Sequence, residues 1–423
     1  MYNIYKSYMR QSMNQRYKLV LICTFLGFSS GLPLFALASL LPVWLKTYGV
    51  DLKSIGLMTT VMIPYAWKFV WAPLLDRYEL PFLGKRRGWI IVTQILCLLC
   101  LGFISTTDYQ NLMYSVVPIC ILLAFASASQ DIVLDAYRRE YFSDEEQASA
   151  MAVWLAAYKI SSLASFSLPL ILVDKNYASW QQCWWLCGLF MLIGIITTLM
   201  IKEPHHNYKT PTLRQAIVEP FKEFFQRLGI KQVILVLAFI CLYKLGDMLA
   251  TNLASVFYLD IGYTKTQVGT VAKLAGLIAS IIGGIVGAVW MNKLGVYKSL
   301  WVFGILQAVA ILGFIWLAYI PANNIYVLAV AIAGEALAVG MGSAAMGGYL
   351  ATLTNRNYSA TQFALFSSIA ALPRTLVGGS VGYMQEYIGG WYNFFILCTL
   401  LAIPGMVLLY IIGKTSKDIN IAK

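Results

Sequence analysis

The sequence predicts an all-α integral membrane protein, with twelve transmembrane helices in two six-helix bundles and both termini on the cytoplasmic side. Three observations carry this. First, 59% of the 423 residues are hydrophobic and 12% charged, with mean hydropathy +0.70, about half the charged fraction of a soluble domain. That is roughly 250 apolar residues, enough for about twelve spans of ~20 residues each. Second, long apolar runs recur along the chain, with a single long hydrophilic interruption near its middle. Third, the basic residues fall on one side of the alternation.

The first eighteen residues are polar, with Lys6, Arg10, Arg16 and Lys18, and the following apolar stretch reaches Leu45. A signal-peptide core is only about 7–15 residues long, so this stretch reads as an uncleaved first helix. Spans are then expected at 19–45, 55–75, 89–105, 113–137, 148–172 and 182–201. Six more follow at 232–259, 266–290, 300–320, 325–354, 360–383 and 391–412. The organisation is therefore a bundle over 1–201, a cytoplasmic linker over 202–231 and a bundle over 232–423. Within the linker, Leu213 to Leu228 reads as an amphipathic helix. Ile217, Phe221, Phe224 and Phe225 would lie on the bilayer surface, and Lys202, Arg214 and Lys222 would face head groups or water.

With the N-terminus inside, the inner segments hold 22 of the 31 Lys and Arg, and the outer loops only Lys46, Lys53, Lys175 and Lys265. The inner face then carries the whole net charge of +12, so nucleic-acid binding is not needed to explain it. The eight cysteines, Cys23, Cys97, Cys100, Cys120, Cys183, Cys187, Cys241 and Cys398, all sit in apolar runs, where cysteine serves as a small apolar side chain. His205 and His206 are adjacent in the linker without a carboxylate or thiolate at ligand spacing. Neither a metal site nor a hydrolytic triad is expected, and the chain does not read as an enzyme.

The halves echo one another. Leu52-Lys53-Ser54-Ile55-Gly56 opens a span that ends at Asp76-Arg77, and Lys265-Thr266-Gln267-Val268-Gly269 opens one that ends at Asn292-Lys293. The acid–arginine ending followed by GKRRG resembles the loop between helices two and three of the major facilitator superfamily. Lys68, Asp76, Arg77, Lys85, Arg86 and Arg87 are the candidate gate residues, whose pairs at the cytoplasmic helix ends would form and part during transport.

Nine charged residues fall inside spans: Lys68, Asp131, Asp135, Lys159, Lys244, Asp247, Lys273, Glu335 and Arg374. Each costs at least ~2.5–3.5 kcal/mol at mid-bilayer, so each calls for a reason. Spans three, six, nine and twelve carry none, as expected where every third helix is peripheral and the others surround a cavity. Asp247, Lys273, Glu335 and Arg374 lie roughly 12–18 Å from the outer helix ends at ~1.5 Å per residue. Asp131 and Asp135 share one helix face, and Lys244 and Asp247 are spaced to pair locally. Gly276, Gly283, Gly284 and Gly287 let the eighth span approach a neighbour closely. Pro373 bends the backbone beside Arg374.

The stretches SSGLPL (29–34), DLKSIG (51–56), WKFVWAPLLDRY (67–78) with GKRRGW (84–89), SASQDIVLDAY (127–137), LYKLGD (242–247) and SATQFALFSS (359–368) closely resemble the AmpG muropeptide permease family. The resemblance runs from about residue 20 to about 400. It implies a bacterial inner-membrane carrier importing GlcNAc-1,6-anhydro-MurNAc, with or without peptide, from periplasm to cytoplasm. The expected partners are that solute and the lipid bilayer, with no nucleic acid; the carrier is expected to be a monomer, without cofactor and driven by the proton gradient. Lys159, Lys244, Lys273 and Arg374 suit the substrate's carboxylates, and Gln130, Tyr158, Tyr243 and Gln362 its hydroxyls and amides. Asp131, Asp135, Asp247 and Glu335 are the candidates for proton coupling, with Asp131 or Glu335 foremost. The competing reading is a proton symporter of the same superfamily for another anionic solute, such as a peptide, a sugar acid or an acyl-carrier metabolite.

Overall fold

The computed structural model describes residues 2–107, 112–142, 144–204, 222–320, 324–353 and 359–415. Within these, the side chains of 2–16, 73, 76, 77, 112, 113, 144–149, 151, 152, 292, 351, 359–364, 367 and 375 lie outside the description. All regular structure among the described residues is helical, as lipid demands of a chain that must satisfy its backbone internally.

Among the described residues, ten helices are long and apolar enough to cross a bilayer. In the numbering of the expected spans they are the first (Tyr17–Thr47), third (Lys85–Thr106), fourth (Tyr114–Tyr141), fifth (Val153–Asp174) and sixth (Trp180–Met200). The later five are the seventh (Ile230–Asp260), eighth (Lys265–Met291), ninth (Val296–Tyr319), tenth (Ile325–Leu350) and twelfth (Trp391–Thr415). The other two expected spans are chains of short helical pieces. The second runs through Leu52–Met58, Thr59–Met62, Ile63–Trp67, Lys68–Val70 and Ala72–Arg77. The eleventh runs through Ser359–Leu376, Gly378–Ser380 and Val381–Tyr387. The cause is local. Pro64 and Pro73 open two of the pieces, Pro373 lies inside another, and the pair Gly378-Gly379 sits in a tight turn. Proline removes an N–H donor and glycine loosens the backbone.

The chain forms two compact units: Met1–Leu41 with Val70–Thr210, and Pro42–Phe69 with Pro211–Lys423. In unit 1 the first, fourth and fifth spans enclose a core of Leu26, Val133, Leu134, Tyr137 and Trp154. The first and fifth spans nearly touch, since a Cβ on Gly31 would stand 2.6 Å from the Tyr158 carbonyl oxygen. Unit 2 has a larger core around Phe239, Phe303, Tyr349 and Phe366. There the glycines of the eighth span do seat it on the tenth: a Cβ on Gly287 would stand 2.7 Å from Met341 Cα. Of the linker's expected amphipathic helix, 213–221 lies outside the described residues and 222–228 is helical; Phe225 is exposed, but Phe224, expected on the bilayer surface, is buried in the core of unit 2 against Phe366 at 4.9 Å.

Three spans carry one widened, π-helical turn each: Ala36–Leu40 in the first, Leu163–Ser167 in the fifth and Val268–Ala272 in the eighth. Such turns concentrate at functional sites. Here the second lies just after Tyr158 and Lys159, and the third ends immediately before Lys273.

Candidate functional site

In unit 1 the polar residues of three spans converge. The Ser30 hydroxyl donates to Asp131 Oδ1 at 2.5 Å, and Gln130 Nε2 donates to Ser29 Oγ at 3.4 Å. Gln130 is buried, and its Oε1 has no partner. Asp131 and Asp135 both act electrostatically on Tyr158, whose ring packs edge-on against Phe35 at 5.6 Å. Asp135 is exposed and pairs with Arg138 at 3.0 Å. Lys159 is half-buried on the same helix as Tyr158. Ser30 of SSGLPL thus holds Asp131 and Ser29 holds Gln130, roles that the sequence alone assigned to no residue. The signal was present as hydroxyls inside an apolar span.

At the end of unit 1 near the linker, the GKRRG loop is firmly anchored. Gly84 has φ +84°, and a Cβ there would stand 2.8 Å from the Glu203 side chain. That allows the Glu203 carboxylate to accept from the backbone N–H groups of Arg86 (2.7 Å) and Arg87 (3.0 Å), the unpaired donors of the new helix. The Arg86 guanidinium forks onto Glu140, with contacts of 2.9 and 2.5 Å. Arg87 donates to the Thr198 and Leu199 carbonyl oxygens at 3.0 and 2.9 Å. Of the candidate gate residues, Arg86 and Arg87 thus have their partners inside unit 1. Lys85 is half-buried beside them, and Lys68 is half-buried in unit 2 on the broken second span. The side chains of Asp76 and Arg77 lie outside the described residues.

Unit 2 gathers the other intramembrane charges. The seventh span breaks at Lys244, whose φ and ψ of −107° and 9° separate helix Ile230–Leu242 from Leu245–Asn252. Lys244 Nζ donates to Ser343 Oγ on the tenth span at 2.6 Å, rather than closing on Asp247 as the local spacing suggested. Asp247 and Glu335 are buried, 7% and 8% exposed, and their carboxyl groups are within hydrogen-bonding reach of each other. Asp247 Oδ1 has no partner. Lys244 and Arg374 act on both acids, and Arg374 acts on Lys273. Arg374 is exposed, and Lys273 and Lys244 are half-buried. The seventh, eighth, tenth and eleventh spans therefore bring three cations and two carboxyls into one neighbourhood. Tyr243 is placed differently, buried with its hydroxyl donating to the Leu300 carbonyl oxygen at 2.7 Å. The side chain of Gln362 lies outside the described residues.

The opposite end of unit 2, away from the C-terminus, is closed by a seam. The segment Pro42–Phe69 packs there against the end of the seventh span and against the eleventh. Lys46 pairs with Asp260 at 2.6 Å, and Lys53 with Glu386 at 3.0 Å. Asp260 also accepts from Trp391 Nε1 at 3.0 Å. Between these pairs the backbones approach directly: a Cβ on Gly56 would stand 2.9 Å from Gly382 N and 3.1 Å from the Gly379 carbonyl oxygen.

Two units of long apolar helices, with charges gathered inside them, define a membrane transporter rather than an enzyme. The family model of the Major Facilitator Superfamily matches residues 23–378, and the chain belongs to that superfamily. A bacterial homologue of the human lysosomal transporter Spinster has the same fold, with a TM-score of 0.70 at 12% identity over 95% of this chain and 97% of that one. Within the superfamily the chain is an AmpG-like permease. It is 38% identical over 410 residues to the anhydromuropeptide permease of Escherichia coli K12, covering 96% of this chain and 82% of that protein. To the putative transporter AmpG 4 of Rickettsia felis it is 34% identical, over 92% of this chain and 95% of the relative. It is accordingly a multi-pass protein of the bacterial inner membrane that moves a small molecule.

Proposed function

We propose that the protein imports anhydromuropeptides, GlcNAc-1,6-anhydro-MurNAc with or without stem peptide, from periplasm to cytoplasm by proton-coupled alternating access, working as a monomer. The observation that carries this is the five-charge neighbourhood of unit 2, supported by the identity to the E. coli permease. A peptide-bearing anhydro-disaccharide presents carboxylates on an otherwise neutral polar body. Exposed Arg374 offers a planar fork for one carboxylate, with Lys244 and Lys273 beside it. Gln130 and Tyr158 of unit 1 suit sugar hydroxyls and amides.

Charge balance links the substrate to the proton. Three cations neutralise two carboxylates with one positive charge left over. When a substrate carboxylate engages the cations, Asp247 and Glu335 lose part of their counter-charge, and a proton shared between the two carboxyls restores the balance. With the termini in the cytoplasm, the Lys46–Asp260 and Lys53–Glu386 seam lies at the periplasmic end. It parts when substrate enters.

The test is counterflow in proteoliposomes with labelled anhydromuropeptide against unlabelled muropeptide, simple sugars and peptides. Muropeptide alone is expected to compete. Arg374→Ala should weaken half-saturation at least tenfold at normal protein level. Equal competition by a simple peptide, or an unchanged half-saturation in Arg374→Ala, would refute the assignment.

A further inference from the structure

On the lipid-facing side of unit 2 the ninth and twelfth spans enclose a groove of about 490 Å³, lined almost wholly by carbon. It runs from Trp301 and Tyr410 at one end to Leu312 and Thr399 at the other, with Ile305 and Ile403 along its sides. Ala308 and Ala402, the smallest of its residues, hollow out the floor. Eleven helical rises separate the two ends on each span, about 17 Å at 1.5 Å per residue. Half of the ~30 Å hydrocarbon core is about 15 Å, so the groove has the depth of one leaflet.

The ends of the groove differ in charge. Beyond the Trp301–Tyr410 end the two helices close together, with the Tyr297 hydroxyl filling the space beside Gly413. Each helix places an exposed lysine next to that contact. Lys298 is one turn before Trp301, and Lys414 one turn after Tyr410, its Nζ 4.9 Å above the Tyr410 ring centre. No acidic residue precedes Lys298 on the ninth span or lies on the twelfth. An apolar trough one leaflet deep, ending in two lysines from different helices flanked by interfacial aromatics, has the pattern of charge and hydrophobicity of a single lipid molecule.

We infer that the ninth–twelfth groove is a binding site for an anionic phospholipid, with one acyl chain along Ala308 and Ala402 and the phosphate between Lys298 and Lys414. The site lies in the leaflet on the side of the C-terminus. Thr399, at the far end, marks where the chain meets the middle of the bilayer. Zwitterionic lipid fits the same trough but gains less from the lysines, since its own ammonium opposes them.

Native mass spectrometry of the detergent-purified full chain, delipidated and given phosphatidylglycerol or phosphatidylethanolamine, tests the site. The wild type should retain one phosphatidylglycerol at least fivefold more than phosphatidylethanolamine. In K298Q/K414Q the two lipids should be retained alike, with phosphatidylglycerol down roughly tenfold. A308L, which fills the floor and keeps both lysines, should reduce retention of both lipids. Equal retention by the wild type, or an unchanged preference in the double variant, overturns the inference. So does a wild-type dimer that A308L dissociates, which would assign the groove to a second copy of the chain.

Discussion

The two units carry their intramembrane charges in different ways. In unit 1 Asp131 accepts from the Ser30 hydroxyl at 2.5 Å, Gln130 donates to Ser29, and Lys159 is half-buried on the fifth span. Asp135, one turn on, is exposed and paired with Arg138 at its own helix end. Unit 2 sets buried Asp247 and Glu335 among Lys244, Lys273 and Arg374. The internal repeat is therefore one of helices and not of chemistry. Hydroxyls and amides can hold either the protonated or the ionised form of a carboxyl, because a hydroxyl both donates and accepts. Cations favour only the ionised form, and they also attract any other anion that arrives. On the proposed function, the cations of unit 2 take the substrate's carboxylates.

The largest expected effect tests that division. Glu335→Gln removes one negative charge from the cation cluster, so the bases bind anions without exchange against a titrating acid. Accumulation driven by a pH gradient should fall at least tenfold while counterflow persists. Asp131→Asn keeps a hydrogen-bonding partner for Ser30 and leaves the cations of unit 2 untouched, so its half-saturation should stay within about twofold. Both variants should insert normally. If Asp131→Asn abolishes counterflow and Glu335→Gln has wild-type accumulation, the roles of the units are reversed.

The units also differ in how their helix ends are tied. Arg86 in unit 1 is nearly sequestered, its side chain 6% exposed beside a 23% exposed Glu140. Removing one partner of a buried pair costs about 3–5 kcal/mol, and the partial exposure of Glu140 places Arg86→Gln at about 2–3 kcal/mol. The Lys46–Asp260 pair of the unit 2 seam is more open, 33% and 22% exposed. Lys46→Gln should cost under about 1 kcal/mol. Thermal unfolding of the two variants in the same detergent measures the difference. Equal shifts would mean that the seam of unit 2 is as firm as the clamp of unit 1, and that it does not part easily.

Much of this arrangement was legible in the sequence because it depends on local period and composition. Ten spans declare themselves as apolar runs between polar ends, whereas the second and eleventh, expected as continuous spans, are interrupted at Pro64, Pro73, Pro373 and Gly378-Gly379, of which Pro373 alone was read as a bend. The charges later found together in unit 2 stood out as violations of their spans. Pairings between distant segments were not legible. Lys53 and Glu386 meet across more than three hundred residues, and no periodicity in either segment indicates the other. Lys244 illustrates the same limit at short range: its spacing to Asp247 suggested a local pair, but the helix break at Lys244 sends the ammonium to Ser343.

The smallest expected effect concerns how the seam of unit 2 begins. Asp51 caps helix Leu52–Met58, its carboxylate accepting from Ser54 N–H at 2.9 Å. Hydrogen bonds from the Ser54 side chain and then from its backbone N–H hold the Asp51 pKa below the ordinary value of 3.8, since donors to a carboxylate favour its ionised form. A carboxyl whose folded pKa is lowered adds stability that is present above its unfolded pKa and is lost as pH falls through the folded one. The contribution of Asp51 is therefore constant at neutral pH and disappears only below about pH 4. Asp51→Ala should cost about 0.5–1 kcal/mol at pH 7, the lower part of the range for a lost cap because the residue is exposed. The same substitution should cost less at pH 3 than at pH 7. Unfolding midpoints of wild type and Asp51→Ala at pH 7 and pH 3 give the sign directly. A penalty that grows on acidification would show that Asp51 is held by something other than the helix N-terminus.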